Sequence, residues 1–318
     1  MSRLLVVASS PHIRSEMDTA RIMSWVLIAL APAGLAGVFF LGARSILVAA
    51  VCVISCVVVE AVWQKLSKQK ITVSDLSAAV TGLLLAYNVP PTIPLWMVVC
   101  GSAFAMIIVK HFFGGLGQNI VNPALAGRVM MLICWPVAMT TWTLHGVSGP
   151  TPLALLKGVD GISGATALPS LMDVLIGNTG GCIGEISALA LLLGGGVLFF
   201  KGIISWRIPV TYIATVAAMS AVFGRSGGPL FEIMTGGLML GAIFMATDYT
   251  TSPMTPKGQF IFAFGCGLLT ALIRTFGGYP EGVSYSILIM NTIVPIIDRM
   301  TAPRIFGEFR EAKKYGSK

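Results

Sequence analysis

"MSWVLIALAPAGLAGVFFLGARSILVAAVCVISCVVVEAVWQKL", residues 23–66, decides the fold class. Two apolar runs, 23–41 and 46–63, flank the short break "GARS" at 42–45. Each run approaches the ~20 residues with which a helix crosses a bilayer. Neither alternates apolar and polar residues as a barrel strand does, so the stretch reads as a membrane helical hairpin.

The rest of the chain repeats this pattern. Its 318 residues are 55% hydrophobic and 11% charged, with a mean hydropathy of +0.86. Soluble domains carry roughly 25% charged residues, so a water-soluble enzyme is excluded. Ten spans are predicted: 23–41, 46–63, 75–89, 94–110, 123–139, 183–200, 208–223, 230–246, 259–275 and 283–298. The fold class is an all-α polytopic membrane protein forming a single domain, 1–318, with five-helix repeats at 1–139 and 183–318. A loop, 140–182, joins them. The third and eighth spans end in "YNVPPTIP" (87–94) and "TDYTTSPMTPKG" (247–258). These are corresponding places in oppositely oriented halves, where inverted-repeat transporters carry broken helices. Ordinary turn chemistry between spans accounts for the prolines equally well.

The formal charge of +8 does not indicate a nucleic-acid partner. In a membrane chain, Lys and Arg gather on cytoplasmic loops. With both termini in the cytoplasm, sixteen of the 21 basic residues fall inside, against Arg44, Lys157, Arg225 and Arg274 outside and Arg128 within the fifth span. The 140–182 loop then faces outward. The N-terminal run Leu4–Ala8 is too short for a signal-peptide core, so no cleaved signal is expected.

The cysteines at 52, 56, 100, 134, 182 and 266 form no CxxC pair, and ordinary packing is expected even for Cys52 and Cys56, one turn apart. His12, His111 and His145 do not pair within spans as haem ligands would. No hydrolase or nucleotide-binding motif is present, and neither a catalytic triad nor a metal site is expected.

Three places are candidates for chemistry. "FFGGLGQNIVNPALAGR" (112–128) offers Gly114, Gly115 and Gly117 for close backbone approach and Gln118, Asn119 and Asn122 as amide donors and acceptors. That combination suits a flat polar heterocycle; the same residues also suit a re-entrant turn whose Asn side chains cap the fifth helix. Arg128 either pairs with an anion in the bundle or snorkels to the interface. Asp248 and Asp298, at the inner ends of the eighth and tenth spans, are candidates for the ion pathway or are simply solvated. Finally, "DGISGATALPS" (160–170) sits on the outward loop, where small residues let another enzyme reach the Thr166 hydroxyl. It serves either as a modification acceptor or as a cap for a helix starting near Ala167.

Asp160-Gly161-Ile162-Ser163-Gly164-Ala165-Thr166 resembles the D-x-x-[ST]-G-A-T signature on which a flavin transferase couples FMN, through its phosphate, to the final Thr. Together with "GGLGQNIVNPALAGR" upstream, it is similar to the RnfD/NqrB family of ion-pumping redox complexes. "SSPHIRS", "IMSWVLIALAPAG", "FMATDYTTSP" and "NTIVPIIDRM" extend the resemblance over essentially the whole chain, closer to RnfD than to NqrB. The resemblance implies covalent FMN on Thr166, with Asp160, Ser163, Gly164 and Ala165 as the recognition motif. It implies noncovalent riboflavin near Asn119, Asn122, Gly114, Gly115, Gly117 and Arg128, although Gln118 stands where NqrB typically has Arg.

It further implies partner subunits A, B, C, E and G of an Rnf complex in the cell membrane, electron flow between ferredoxin and NAD⁺, and outward transport of Na⁺ or H⁺. Ion coupling needs a flavin charge state that either biases a conformational equilibrium of the bundle or pulls a cation along electrostatically, and the broken third and eighth spans are the expected moving parts. A small-solute channel or secondary transporter of the same architecture is the alternative.

Overall fold

Both runs of the opening hairpin are helical. Helix α1, Thr19–Leu41, begins where the Asp18 carboxylate accepts the Arg21 N–H at 3.1 Å. It ends at Gly42, whose φ of 89° turns the chain into α2, Arg44–Leu66. Ile28, Leu35 and Phe39 on α1 and Ile54, Val58 and Val62 on α2 are exposed at helical spacing, while Ser45, Glu60 and Gln64 are buried. Apolar side chains outside and ionisable ones inside invert the arrangement of a soluble protein, as a lipid surround requires.

The computed structural model describes residues 17–144, 147–157, 168–225, 227–278 and 281–303. The expected flavin-bearing residues Asp160, Ser163, Gly164, Ala165 and Thr166 lie outside the described residues, as do both termini.

In chain order there follow α3, Ser77–Tyr87; α4, Leu95–Phe104, continuing as a π-helix over Ala105–His111; α5, Pro123–Cys134; and α6, Pro136–Met139. A small antiparallel pair, β1 (Thr143–Leu144) with β2 (Val147–Ser148), opens the long loop, which also carries α7, Pro152–Lys157, and α8, Leu171–Ile176. The second half comprises α9, Ala188–Phe200; α10, Arg207–Phe223; α11, Gly228–Met234; α12, Leu238–Leu240, continuing as a π-helix over Gly241–Met245; α13, Pro256–Phe276; and α14, Val283–Thr301.

All ten predicted segments contain helix, but of unequal length. Among the described residues, four helices, α1, α2, α13 and α14, are individually long and apolar enough to cross a membrane. The eighth segment is interrupted within itself rather than at 247–258: α11 and α12 meet at a 66° bend over residues 235–237, and together they are long and apolar enough to count as a fifth, bent span. The others are shorter. The 11 residues of α3 rise about 16 Å, roughly half the hydrocarbon thickness. Leu76, in the left-handed conformation at φ 62°, starts α3 late, and "NVPP" stops it. Gly236, at φ 66°, lies in the bend between α11 and α12. Similarly, Pro136 cuts α5 off from α6.

Packing follows the same plan in both halves. Helix α2 packs on α3 and α4, as α10 packs on α11 and α13, while the pairs α1 with α9 and α5 with α14 join the halves. Small residues permit the close approaches. At Gly82 of α3, an added Cβ would lie 2.7 Å from the Val53 Cα and 2.8 Å from the Cys52 carbonyl oxygen of α2. Cys52 and Cys56 are thus buried packing residues at helix contacts. Interhelical hydroxyls add a second kind of glue: Tyr212 on α10 meets Thr270 on α13 at 2.7 Å and Ser286 on α14 at 2.9 Å.

The two ends of the bundle collect the loops that the sequence assigns to opposite sides. At one end the Lys201 ammonium lies 4.3 Å above the Trp25 ring, and Gln259 bonds Ser205 and Arg207. At the other, Arg44 Nε donates to the Pro91 carbonyl at 2.9 Å, and Thr92 Oγ1 donates to the Thr141 carbonyl at 3.2 Å.

Candidate functional site

Two buried polar centres lie toward opposite ends of the bundle. The first surrounds a cavity of about 100 Å³ at the end that carries Lys201. Its walls include Met23, Leu198 and Phe244, and its polar lining includes Lys110, Asn119, Asn122 and Asp248. The chain delivers these from three breaks: the end of the π-helix after α4, the turn before α5 and the loop after α12.

Most of these groups already have partners. Asn122 caps α5, its Oδ1 accepting the N–H groups of Ala124 (3.1 Å) and Leu125 (3.3 Å), while its Nδ2 donates to the Met245 carbonyl at 3.3 Å. Asn119 Nδ2 donates to the Val121 carbonyl at 3.3 Å. Asp248 accepts the hydroxyls of Thr250 at 2.9 Å and Thr251 at 3.1 Å. Burial pushes its carboxyl up, while those hydroxyls oppose the shift. Lys110 Nζ donates to Glu60 Oε1 at 2.6 Å and Ser77 Oγ at 2.7 Å, and His111 Nε2 stands 3.5 Å from the same Glu60 oxygen.

The second centre is built on Arg128, in the middle of α5. Its Nη1 donates to Ser284 Oγ at 2.7 Å and Asn88 Oδ1 at 3.2 Å, and its Nη2 bonds the Glu281 carboxylate and lies 3.8 Å from Cys182 Sγ. Glu185 Oε1 is 3.4 Å from Nη1. The turn bearing Glu185 is pinned beside the end of α3, because Ile183 N donates to the Val89 carbonyl and Gly184 N to the Tyr87 carbonyl. Beyond it, Arg274 Nη1 donates to the Glu232 carbonyl at 2.7 Å, and Arg225 Nε pairs with Glu232 Oε1 at 2.6 Å. Desolvating so many charges is costly unless each is paired, and here three arginines face three glutamates.

On the long loop, α8 begins with a capping box in which Ser170 Oγ donates to Asp173 Oδ2 at 2.6 Å and accepts the Asp173 N–H at 3.2 Å. The Ser170 hydroxyl, helped by Asn178, holds the Asp173 carboxyl below the usual aspartate value. Leu168, Leu171 and Met172 are exposed there.

The structure therefore gathers Asn119, Asn122 and Asp248 at one cavity and places Arg128 apart from them in a buried ion-pair network. Gly114, Gly115 and Gly117 take positive φ values of 117°, 94° and 88° in the turn leading to Asn119 and are not among the cavity's lining residues. Asp298 accepts the Met254 N–H at 3.2 Å, outside the cavity. Glu60, Lys110, Glu185 and Glu281 were not singled out from the sequence. The signal was available for two of them: Glu60 in "VVVEAVW" and Glu185 in "GGCIGEISALALLL" are lone acids in apolar runs, which in a membrane chain are functional candidates by default.

Similarity to known proteins extends over nearly the whole chain. The chain is 53% identical over 309 residues to the D subunit of the Na(+)-translocating ferredoxin:NAD(+) oxidoreductase complex of Acetobacterium woodii, covering 95% of each chain. It is 46% identical over 325 residues to the D subunit of the proton-translocating ferredoxin:NAD(+) oxidoreductase complex of Clostridium ljungdahlii, covering 96% of this chain and 97% of that one. To the D subunit of the ion-translocating oxidoreductase complex of Stutzerimonas stutzeri it is 39% identical over 343 residues, covering 95% of each. Residues 6–307 match the sequence model of the NQR2, RnfD, RnfE family, and the chain belongs to that family.

Proposed function

We infer that this protein is the D-type membrane subunit of an ion-translocating ferredoxin:NAD⁺ oxidoreductase, relaying electrons within a multi-subunit complex and coupling them to Na⁺ or H⁺ transport. One observation carries the reading: identity of 53% along 95% of both chains with a relative named as that component. The names of two relatives specify different ions, so the coupling ion is left as Na⁺ or H⁺. The implied setting is the cell membrane, with both termini in the cytoplasm and the 140–182 loop outside. The partners are subunits A, B, C, E and G and a flavin transferase.

In this reading Thr166 carries FMN as a phosphoester. Its immediate flank fits that group: Leu168, Leu171 and Met172 present exposed apolar surface within six residues of the acceptor, against which a flat ring can rest. When bound, the flavin supplies the redox chemistry, and the protein supplies position and electrostatics. The Ser170–Asp173 cap fixes the start of α8, four residues along the chain from the acceptor.

Riboflavin at the second site fits less well. Asn119 and Asp248 offer suitable polar atoms, but a cavity of about 100 Å³ is well below the roughly 300 Å³ at which small-molecule sites begin. As packed, it does not admit a three-ring system, and no step is assigned to a flavin there.

The test is in-gel ultraviolet fluorescence of the denatured chain, together with peptide mass mapping of residues 140–182, after co-expression with a flavin transferase. A fluorescent band whose added mass maps to Thr166 is expected. An unmodified Thr166 from flavinylating cells overturns the covalent-flavin reading and favours the channel alternative.

A further inference from the structure

We propose that Glu185 is an exchange site for a monovalent cation, H⁺ or Na⁺, and that Arg128 alternates between Glu185 and Glu281 as the cation leaves and returns. The proposal rests on the functional reading only for the direction in which the ion is driven.

Glu185 is 4% exposed, and its Oε1 makes no hydrogen bond. The guanidinium lies close to it, but Arg128 Nη1 gives its hydrogens to Asn88 and Ser284, while Nη2 goes to Glu281. One carboxylate therefore holds the arginine, and the other stands beside it with a lone pair unused. A buried acceptor left without a donor costs about 1–3 kcal/mol, more when charged, so the geometry invites an occupant.

The space for one is present. Glu185 and Glu281 line a small chamber together with Thr151, Thr179 and Thr235, bounded by the broken α11–α12 turn at Gly236. Its volume is about 20 Å³, room for one water or one ion of similar size. Carboxylate and hydroxyl oxygens are the ligands that hard cations and protonated water prefer. The chain also keeps the approach clear: at Gly237 an added Cβ would lie 2.6 Å from Glu185 Oε1.

The charged and titratable groups around Glu185 are Arg128, Glu281 and Cys182, with Arg274, Glu232 and Arg225 behind them. With both chamber glutamates ionised, the three arginines and three glutamates balance. A cation on Glu185 leaves Arg128 wholly to Glu281; its departure lets Nη1 close the 3.4 Å gap to Glu185. Residues Thr151 and Thr179 belong to the long loop that carries Thr166, so that loop forms part of the chamber wall.

The test is infrared difference spectroscopy of the purified full-length chain in lipid nanodiscs, titrated with acid in sodium chloride and, separately, in choline chloride. The expected result is a titrating carboxyl band that disappears in Glu185→Gln. A midpoint that moves to lower pH with sodium identifies Na⁺ as a competing occupant, and a midpoint indifferent to sodium identifies H⁺ alone; both support the site. In Glu281→Gln the arginine transfers to Glu185, and the proton affinity of Glu185 falls by about tenfold or more, one pKa unit per decade. A band that survives Glu185→Gln, a preparation with no carboxyl responding to pH or sodium, or an unmoved midpoint in Glu281→Gln overturns the proposal. Flavin fluorescence of the same wild-type sample reports separately on the functional reading, since a titrating Glu185 in a chain without covalent flavin faults only the latter.

Discussion

Lys110 Nζ and Glu60 Oε1 meet at 2.6 Å in the interior of the bundle, with both side chains almost wholly buried. The pair ties the end of the π-helix after α4 to α2. Removing one partner strands a charge away from water, at a cost of about 3–5 kcal/mol. Lys110→Met alone is therefore expected to lower the thermal midpoint of the purified protein strongly. The double variant Lys110→Met with Glu60→Leu is expected to recover most of the loss, and a double variant no better than the single one contradicts the pairing argument.

Gly82→Ala tests the contact between α2 and α3. The added methyl meets backbone atoms of Val53 and Cys52, which cannot swing aside as a side chain can. Overpacking of this kind costs about 1–3 kcal/mol, read as reduced thermal stability in detergent.

Asn122 distinguishes capping from ligand binding. Asn122→Ala is expected to cost about 1 kcal/mol through loss of the cap on α5, whereas Asn122→Ser retains an oxygen for the same N–H groups and most of the stability. Equal losses in the two variants, measured by thermal unfolding, refute the capping role.

Acid is expected to loosen α8. The Asp173 carboxyl is held below its ordinary value in the folded chain, so the capping interaction contributes fully above about pH 4 and fades as pH falls through the depressed value. Amide exchange of residues 171–176, followed from about pH 6 down to pH 3 and corrected for intrinsic rates, should show protection lost on the acid side only. In Asp173→Asn that dependence should flatten.

Thr166→Ala is expected to abolish the covalent flavin in gels while leaving the amount of folded protein unchanged, and Thr166→Ser, which keeps a hydroxyl, should retain a measurable fraction of the label. Loss of folding in Thr166→Ala would indicate a structural role for the side chain instead.

The helical segments were legible because lipid imposes a coarse rule, long apolar runs, that "LLVVA"-sized fragments cannot mimic. Helix ends were less so: Leu76 adopts a left-handed conformation that no residue preference announces, and it shortens α3 to 11 residues. Asn122 was readable as a cap because Pro123 follows it at the first helical position. The partners of Arg128 were not. Asn88, Glu185, Glu281 and Ser284 are brought to it from three other parts of the chain, and pairing over such separations depends on how helices pack, which local pattern does not encode. Glu281 lies in the connection "GGYPEGVS", where an acid reads as an ordinary solvated turn residue.

The Arg128 network also sets a schedule for biogenesis. Asn88 leaves the ribosome 40 residues before Arg128 and can receive it at once, but Glu281 and Ser284 follow only after 153 and 156 further residues. At ~5–20 residues per second Glu185 follows Arg128 within seconds, while the Glu281 carboxylate that bonds the guanidinium arrives on the order of ten seconds or more after it. Neither half of the chain is electrically complete alone. The first five segments therefore reach their final charge pairing only after Glu185 and then Glu281 have followed them.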